Sequence, residues 1–155
     1  MIVALLIVHG LLAVALLGAI THQALSVAKA VPIPAGQRNF VTKFRSVSGA
    51  SYTNAIVILF IVTSIGGALL YPQYRLDIRS TLEDLNLRAA NGIFEIKEHL
   101  AAIGLGLLPA YWFLWRQSSG AAHLTARKYV TWILAFLVWW NFLVGHILNN
   151  IKGFT

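Results

Sequence analysis

The chain has 155 residues, of which 58% are hydrophobic and only 11% charged. A soluble domain carries roughly 25% charged residues, so this chain cannot cover its core with polar groups in water and belongs in a lipid bilayer. The net charge of +7 sits in segments between apolar runs, as the positive-inside rule distributes it, which excludes a nucleic-acid-binding reading. Cysteine is absent, which excludes disulfides, thiolate metal sites, iron–sulfur clusters and covalently attached c-type haem.

The expected architecture is all-α: one transmembrane domain over residues 1–155, an integral membrane four-helix bundle. Each spanning stretch approaches the ~20 residues needed to cross a bilayer. The first runs from about 2 to 28. Ala28-Lys29-Ala30 looks like a signal cleavage site, but no basic n-region precedes it and the apolar stretch is too long, so it reads as a retained helix. The loop that follows is irregular, with Pro32, Pro34, Gly36 and Gly49, and basic, with Lys29, Arg38, Lys43 and Arg45.

The second helix is expected over about 51–71, with Pro72 stopping it. Between helices 2 and 3, Ser80 or Thr81 as N-cap followed by Glu83 or Asp84 signals a helix start. Leu82, Leu85 and Leu87 give it an apolar side. This predicts a short amphipathic helix at the interface, breaking near Asn91-Gly92. The third spanning helix follows over about 96–115, with Pro109 kinking it. The fourth runs over about 128–150.

The loops after helix 1 and between helices 3 and 4 (Arg116, Arg127, Lys128) hold no acid. Every acid lies in the segment between helices 2 and 3. The charge rule then places the two basic loops in the cytoplasm and both termini on the extracytoplasmic side of a bacterial inner membrane. Tyr52, Tyr71, Tyr74, Tyr111, Trp112 and Trp115 fall at interfacial belt positions. Trp132, Trp139 and Trp140 run through helix 4 as lipid-contact or packing residues, with lining of a flat cofactor as the sharper alternative.

Ionisable groups at membrane depth mark functional sites by default, and imidazole is a frequent metal and haem ligand. His9, His99 and His146, on three helices, share one leaflet. His22 falls toward the other, with Gly18 one turn before it, and His123 lies in a loop. Small residues adjoin them: Gly10 by His9, Gly145 by His146, Gly104 and Gly106 after His99.

With these histidines and glycines the chain resembles small membrane-embedded b-type cytochromes and four-helix cytochrome-like membrane proteins. The resemblance implies haem b held by two axial imidazoles from facing helices, and electron transfer within a larger respiratory or photosynthetic complex. In large respiratory cytochromes b, two histidines about thirteen residues apart on one helix serve two haems. His9 and His22 have this spacing, but their rings point about 140° apart around a regular helix. One haem is therefore expected rather than two. Arg75 and Arg79 are candidates for propionate, quinone or lipid-phosphate contacts, and a quinone is a further candidate cofactor.

Glu95 and His99 are four apart and share a helix face. A copper or other metal site from His9, His99, His146 and Glu95 is a third reading, although the lone methionine is Met1 and soft ligands are otherwise missing. Glu95 or Glu98 could also serve a proton or quinol site. The plainest alternative makes the histidines interhelical packing groups and the protein a non-catalytic accessory or assembly subunit among other membrane subunits and lipid. No P-loop, nucleophile elbow or dinucleotide fingerprint is present, so no independent enzymatic activity is expected.

Overall fold

The computed structural model describes residues 2–28, 49–117 and 121–153, all but a few of them in helices. The basic residues Lys29, Arg38, Lys43 and Arg45, with Pro32, Pro34 and Gly36, lie outside the described residues. Helix α1 is Ile2–Val27. Helix α2, Gly49–Asp84, opens on a 3₁₀ turn, Gly49–Tyr52, and is followed by α3, Arg88–Arg116, and α4, Ala121–Gly153. Among the described residues there is no strand.

Among the described residues three helices, α1, α2 and α4, are long and apolar enough to cross a membrane. The third expected span is longer than the sequence suggests but does not reach that standard of apolarity. Its 29 residues begin with the charged stretch from Arg88 to Glu98, which dilutes the apolar run behind it.

The connection between α2 and α3 differs most from expectation. Pro72 does not stop α2. The helix passes through it and widens into one π turn, Tyr74–Ile78, before returning to α-helix over Arg79–Asp84. A proline removes one backbone donor and crowds the preceding turn, and a π turn is one way to absorb that local misfit. Ser80 and Thr81 are not N-caps. Their hydroxyls donate back into the helix, Ser80 Oγ to Leu76 O at 2.9 Å and Thr81 Oγ1 to Asp77 O at 2.7 Å.

The break falls at Leu85–Leu87 rather than Asn91-Gly92. Asn86 takes φ 57° there, a left-handed conformation that asparagine tolerates better than most residues. The segment expected as a separate interfacial helix is therefore divided between the end of α2 and the start of α3. Gly92 lies inside α3, and so does Pro109.

The helices pack as a bundle: α1 lies against α2 and α4, and α3 against α4 and, less extensively, α2. Residue pairings show that touching neighbours run antiparallel. Gln23 meets Thr53 and His9 meets Gly66, while Trp115 meets Thr131 and Lys97 meets Gly145. The bundle thus has a basic-loop end and a terminal end, the latter holding the start of α1 and the α2–α3 turn. The main apolar core lies toward the basic-loop end, built from Leu16, Ile20, Ile56, Phe60, Leu108 and Leu134 with their neighbours.

Candidate functional site

Polar side chains at membrane depth have few partners except one another, so their pairing maps what the bundle does with them. Toward the basic-loop end they form a collar. Tyr111 Oη donates to Gln23 Oε1. The Gln23 amide donates to Gly49 O at 2.9 Å and to Thr53 Oγ1 at 3.3 Å. Trp115 Nε1 donates to Thr131 Oγ1 at 3.0 Å, and that hydroxyl donates to Arg127 O at 2.7 Å. Trp139 Nε1 donates to Thr21 Oγ1 at 3.0 Å, and Trp112 Nε1 to Asn54 Oδ1 at 3.1 Å. All four helices are joined by these bonds, and Gln23, Thr53, Tyr111 and Thr131 are almost completely buried.

The collar was not singled out from sequence as a site. Its signal was available: isolated glutamine, threonine and asparagine within apolar runs turn inward because lipid offers them no partner. His22 is buried in the same half, its ring 5.0 Å from that of Tyr52. The two line a shallow groove with Gly18, Thr21 and Trp139.

The terminal half is arranged differently. His9 is half-buried against α2. A Cβ on Gly66 would stand 3.0 Å from its Nδ1, and one on Gly67 would stand 3.5 Å from its Cε1. Two adjacent glycines thus make the seat for the ring. Lys97 and Glu98 of α3 are close enough for their charges to act on it, and the backbone of Thr63 lies beside it. Lys97 Nζ pairs with Glu98 Oε1 at 2.9 Å and lies 4.8 Å from the Phe94 ring centre. The Lys97 stem passes Gly145 of α4, with Cε 3.6 Å from where a Cβ there would be.

The other proposed ligands do not join this cluster. His99 and His146 are exposed on the outer surfaces of α3 and α4. His146 stacks parallel to Phe142 at 6.2 Å, and its Nε2 lies 3.1 Å from Asn150 Nδ2 one turn on. Glu95 turns away from His99 to Arg79, at 3.6 Å, while Arg79 bonds Glu83 at 2.8 Å. Arg75 donates to Tyr71 Oη at 3.4 Å and lies over that ring. His123 is exposed at the start of α4.

These positions bear directly on the cofactor readings. A haem b inside the bundle needs two imidazoles facing one another across a space wide enough for the porphyrin. Here the Nδ1 side of His9 closes on α2, His99 and His146 face outward, and the space beside Gly104 is filled by the Phe60 ring. The residues of a single chain do not fit a haem held between its helices. Among the described residues no group of three or more histidine, aspartate or glutamate side chains is placed to hold a metal ion.

Comparison with protein-family models, curated proteins and solved structures finds no match for this chain. Its class therefore rests on its own residues: among the described residues it is helical without strands, and three helices are suited to crossing a membrane.

Proposed function

We propose that the chain is a non-catalytic accessory or assembly subunit of a larger membrane complex. The observation that carries this reading is the division of its polar side chains. Those in the basic-loop half are engaged in tying the four helices together, and the imidazoles do not converge on a common centre. In this reading α3 is a fourth crossing element, sheltered by α4 and α2, and the protein is a four-helix membrane bundle. The bacterial inner membrane, with both termini extracytoplasmic, follows from the charge of the loops. Lipid and neighbouring subunits cover the apolar outer faces of α1 and α4, where Ile7, Leu11, Phe136 and Ile147 are exposed.

A second reading is a haem b subunit in electron transfer. It is favoured by the exposed imidazoles of His99 and His146, which are free of the packing that closes His9 and could ligate a group shared with another subunit. Quinone contact at the rim arginines belongs to the same reading. Copper handling has less support, because its four proposed ligands are dispersed.

A reduced-minus-oxidised visible spectrum of the purified chain and of its native complex, with a pyridine haemochrome assay, separates these readings. The accessory reading expects no b-type band that depends on His9, His99 or His146. A band at one haem per chain, lost in His99→Gln or His146→Gln while the complex still assembles, would overturn it.

A further inference from the structure

The two ends of the bundle differ in what can neutralise their charge. All five acids of the chain, Asp77, Glu83, Asp84, Glu95 and Glu98, belong to the terminal end. There Arg79 and Lys97 meet carboxylates at 2.8 Å and 2.9 Å. At the basic-loop end, where Arg116, Arg127 and Lys128 lie, the sequence supplies no acid. Arg127 is engaged with the protein itself. Its Nε donates to Leu114 O and its Nη2 to Gln117 O, both at 2.9 Å, which satisfies carbonyls at the end of α3.

Arg116 is held differently. Its Nη2 donates to Asn54 Oδ1 at 3.0 Å, and Trp112 Nε1 donates to the same oxygen at 3.1 Å. The guanidinium lies 5.2 Å from the Trp112 ring centre. One α2 residue thus anchors an arginine and a tryptophan that stand one turn apart on α3. A guanidinium carries five N–H donors, and among the described residues Arg116 gives only its Nη2 to a partner. The Asn54 oxygen takes both bonds, so its amide nitrogen is left to donate. All three side chains are exposed. A fixed, outward fork of N–H donors suits two-point contact with a phosphate group.

The surface that continues from this fork into the span is apolar. On α2, Ile58 and Ile61 follow Asn54 on one face and are 60% and 41% exposed. On α3, which runs the other way, Leu105 precedes Trp112 by two turns and is also exposed. A phosphate at the fork with an acyl chain along these residues matches a phospholipid at interfacial depth, where tryptophan and arginine are the usual anchors. The missing carboxylates select the headgroup. A zwitterionic lipid brings an ammonium that finds no acid at this end, whereas an anionic phosphodiester meets cations alone.

We propose that Arg116, Trp112 and Asn54 form a headgroup site for an anionic phospholipid of the phosphatidylglycerol type. Arg116 grips the phosphate, Asn54 and Trp112 hold the guanidinium in place, and an acyl chain lies along Ile58, Ile61 and Leu105. The site requires only that the chain reside in a bilayer, so it stands with either the accessory or the haem-bearing reading.

The test places the full chain in nanodiscs of phosphatidylglycerol and phosphatidylcholine in equal amounts, releases it into mild detergent and weighs it by native mass spectrometry. The expected result is phosphatidylglycerol retained in preference to phosphatidylcholine. Arg116→Gln should reduce that preference roughly fivefold, the gain that one cation makes beside an anionic leaflet. Lys128→Gln removes an equal charge from the same end and should keep the adduct. Tryptophan emission reports whether each variant is folded. If Arg116→Gln is not, Asn54→Ala frees the guanidinium from its anchor and should lower retention in the same sense. Equal retention of the two lipids by the wild-type chain would overturn the proposal. So would a loss in Lys128→Gln as large as in Arg116→Gln, because the attraction would then belong to the charge of the whole end. Displacement of the lipid by excess inorganic phosphate, with phosphate remaining on the chain, would assign the fork to a free anion and overturn the lipid site.

Discussion

Gly104 and Gly106 lie two residues apart on α3 and offer a paired test of how the helices meet. A Cβ on Gly104 would run into the Phe60 ring of α2, striking Cζ, with Cε2 at 3.2 Å and Cε1 at 3.3 Å. Phe60 is 4% exposed within the core and has little room to swing aside. A Cβ on Gly106 meets nothing within 4 Å. Both substitutions to alanine gain the same helix-propensity benefit, about 0.5–1 kcal/mol. Only Gly104→Ala adds overpacking, at about 1–3 kcal/mol. The propensity gain cancels in the difference, so Gly104→Ala should be less stable than Gly106→Ala by about 1–3 kcal/mol. Reversible unfolding in mixed micelles, followed by fluorescence of the five tryptophans, measures that difference directly. Equal unfolding midpoints for the two variants would refute the seating of Phe60 on Gly104, and with it the α2–α3 contact that closes the bundle.

The collar should respond to single-atom changes. Tyr111→Phe leaves Gln23 Oε1 without its donor and should cost about 1–3 kcal/mol in the same unfolding assay. Trp115→Phe is a larger change: it removes the bond to Thr131 and leaves space where the indole packed, and should cost about 2–4 kcal/mol. Gly66→Ala places a methyl 3.0 Å from His9 Nδ1, so the His9 ring resonance should shift while those of His99 and His146 stay in place. The cysteine-free chain also suits impermeant thiol labelling. Glu83→Cys and His123→Cys should label from opposite sides of the membrane if α3 crosses; labelling from the same side would refute a fourth crossing.

Much of the architecture was legible because it depends on length and apolarity. The bounds of α1 followed from where its apolar run fades, whereas α4 begins at Ala121, seven residues before its apolar run suggests. The α2–α3 connection was harder, because its decisive features are local. Pro72 predicts a stop, yet one π turn accommodates it. Ser80 and Thr81 match a capping pattern, yet they lie inside a continuous helix and bond backward to Leu76 and Asp77. Hydroxyls that can serve either role are sorted by what the preceding residues do. Here the helix arriving from Pro72 is already formed, so there is no N-terminus to cap.

The histidines show the limit more sharply. Depth in a membrane follows from counting residues, so the placement of His9, His99 and His146 toward one end could be read from sequence. Azimuth could not. In a soluble helix the apolar stripe marks the inward face, but in a span surrounded by lipid both faces are apolar and hydrophobic periodicity carries little information. The inward face is marked by small and uncharged polar residues instead. By that criterion Thr63, Gly66 and Gly67 identify the side of α2 that receives His9, and Gln23, Thr53 and Thr131 mark the collar. His146 follows Gly145 by one step, about 100° around the helix. Because Gly145 faces Lys97 on α3, its neighbour is carried out of that contact to the surface. Adjacency to glycine suggests room for a porphyrin, but the same adjacency turns the imidazole away from the bundle. A glycine marks where another helix approaches, and a ligand on that face must lie three or four residues from it, as Thr63 lies from Gly66 and Gly67.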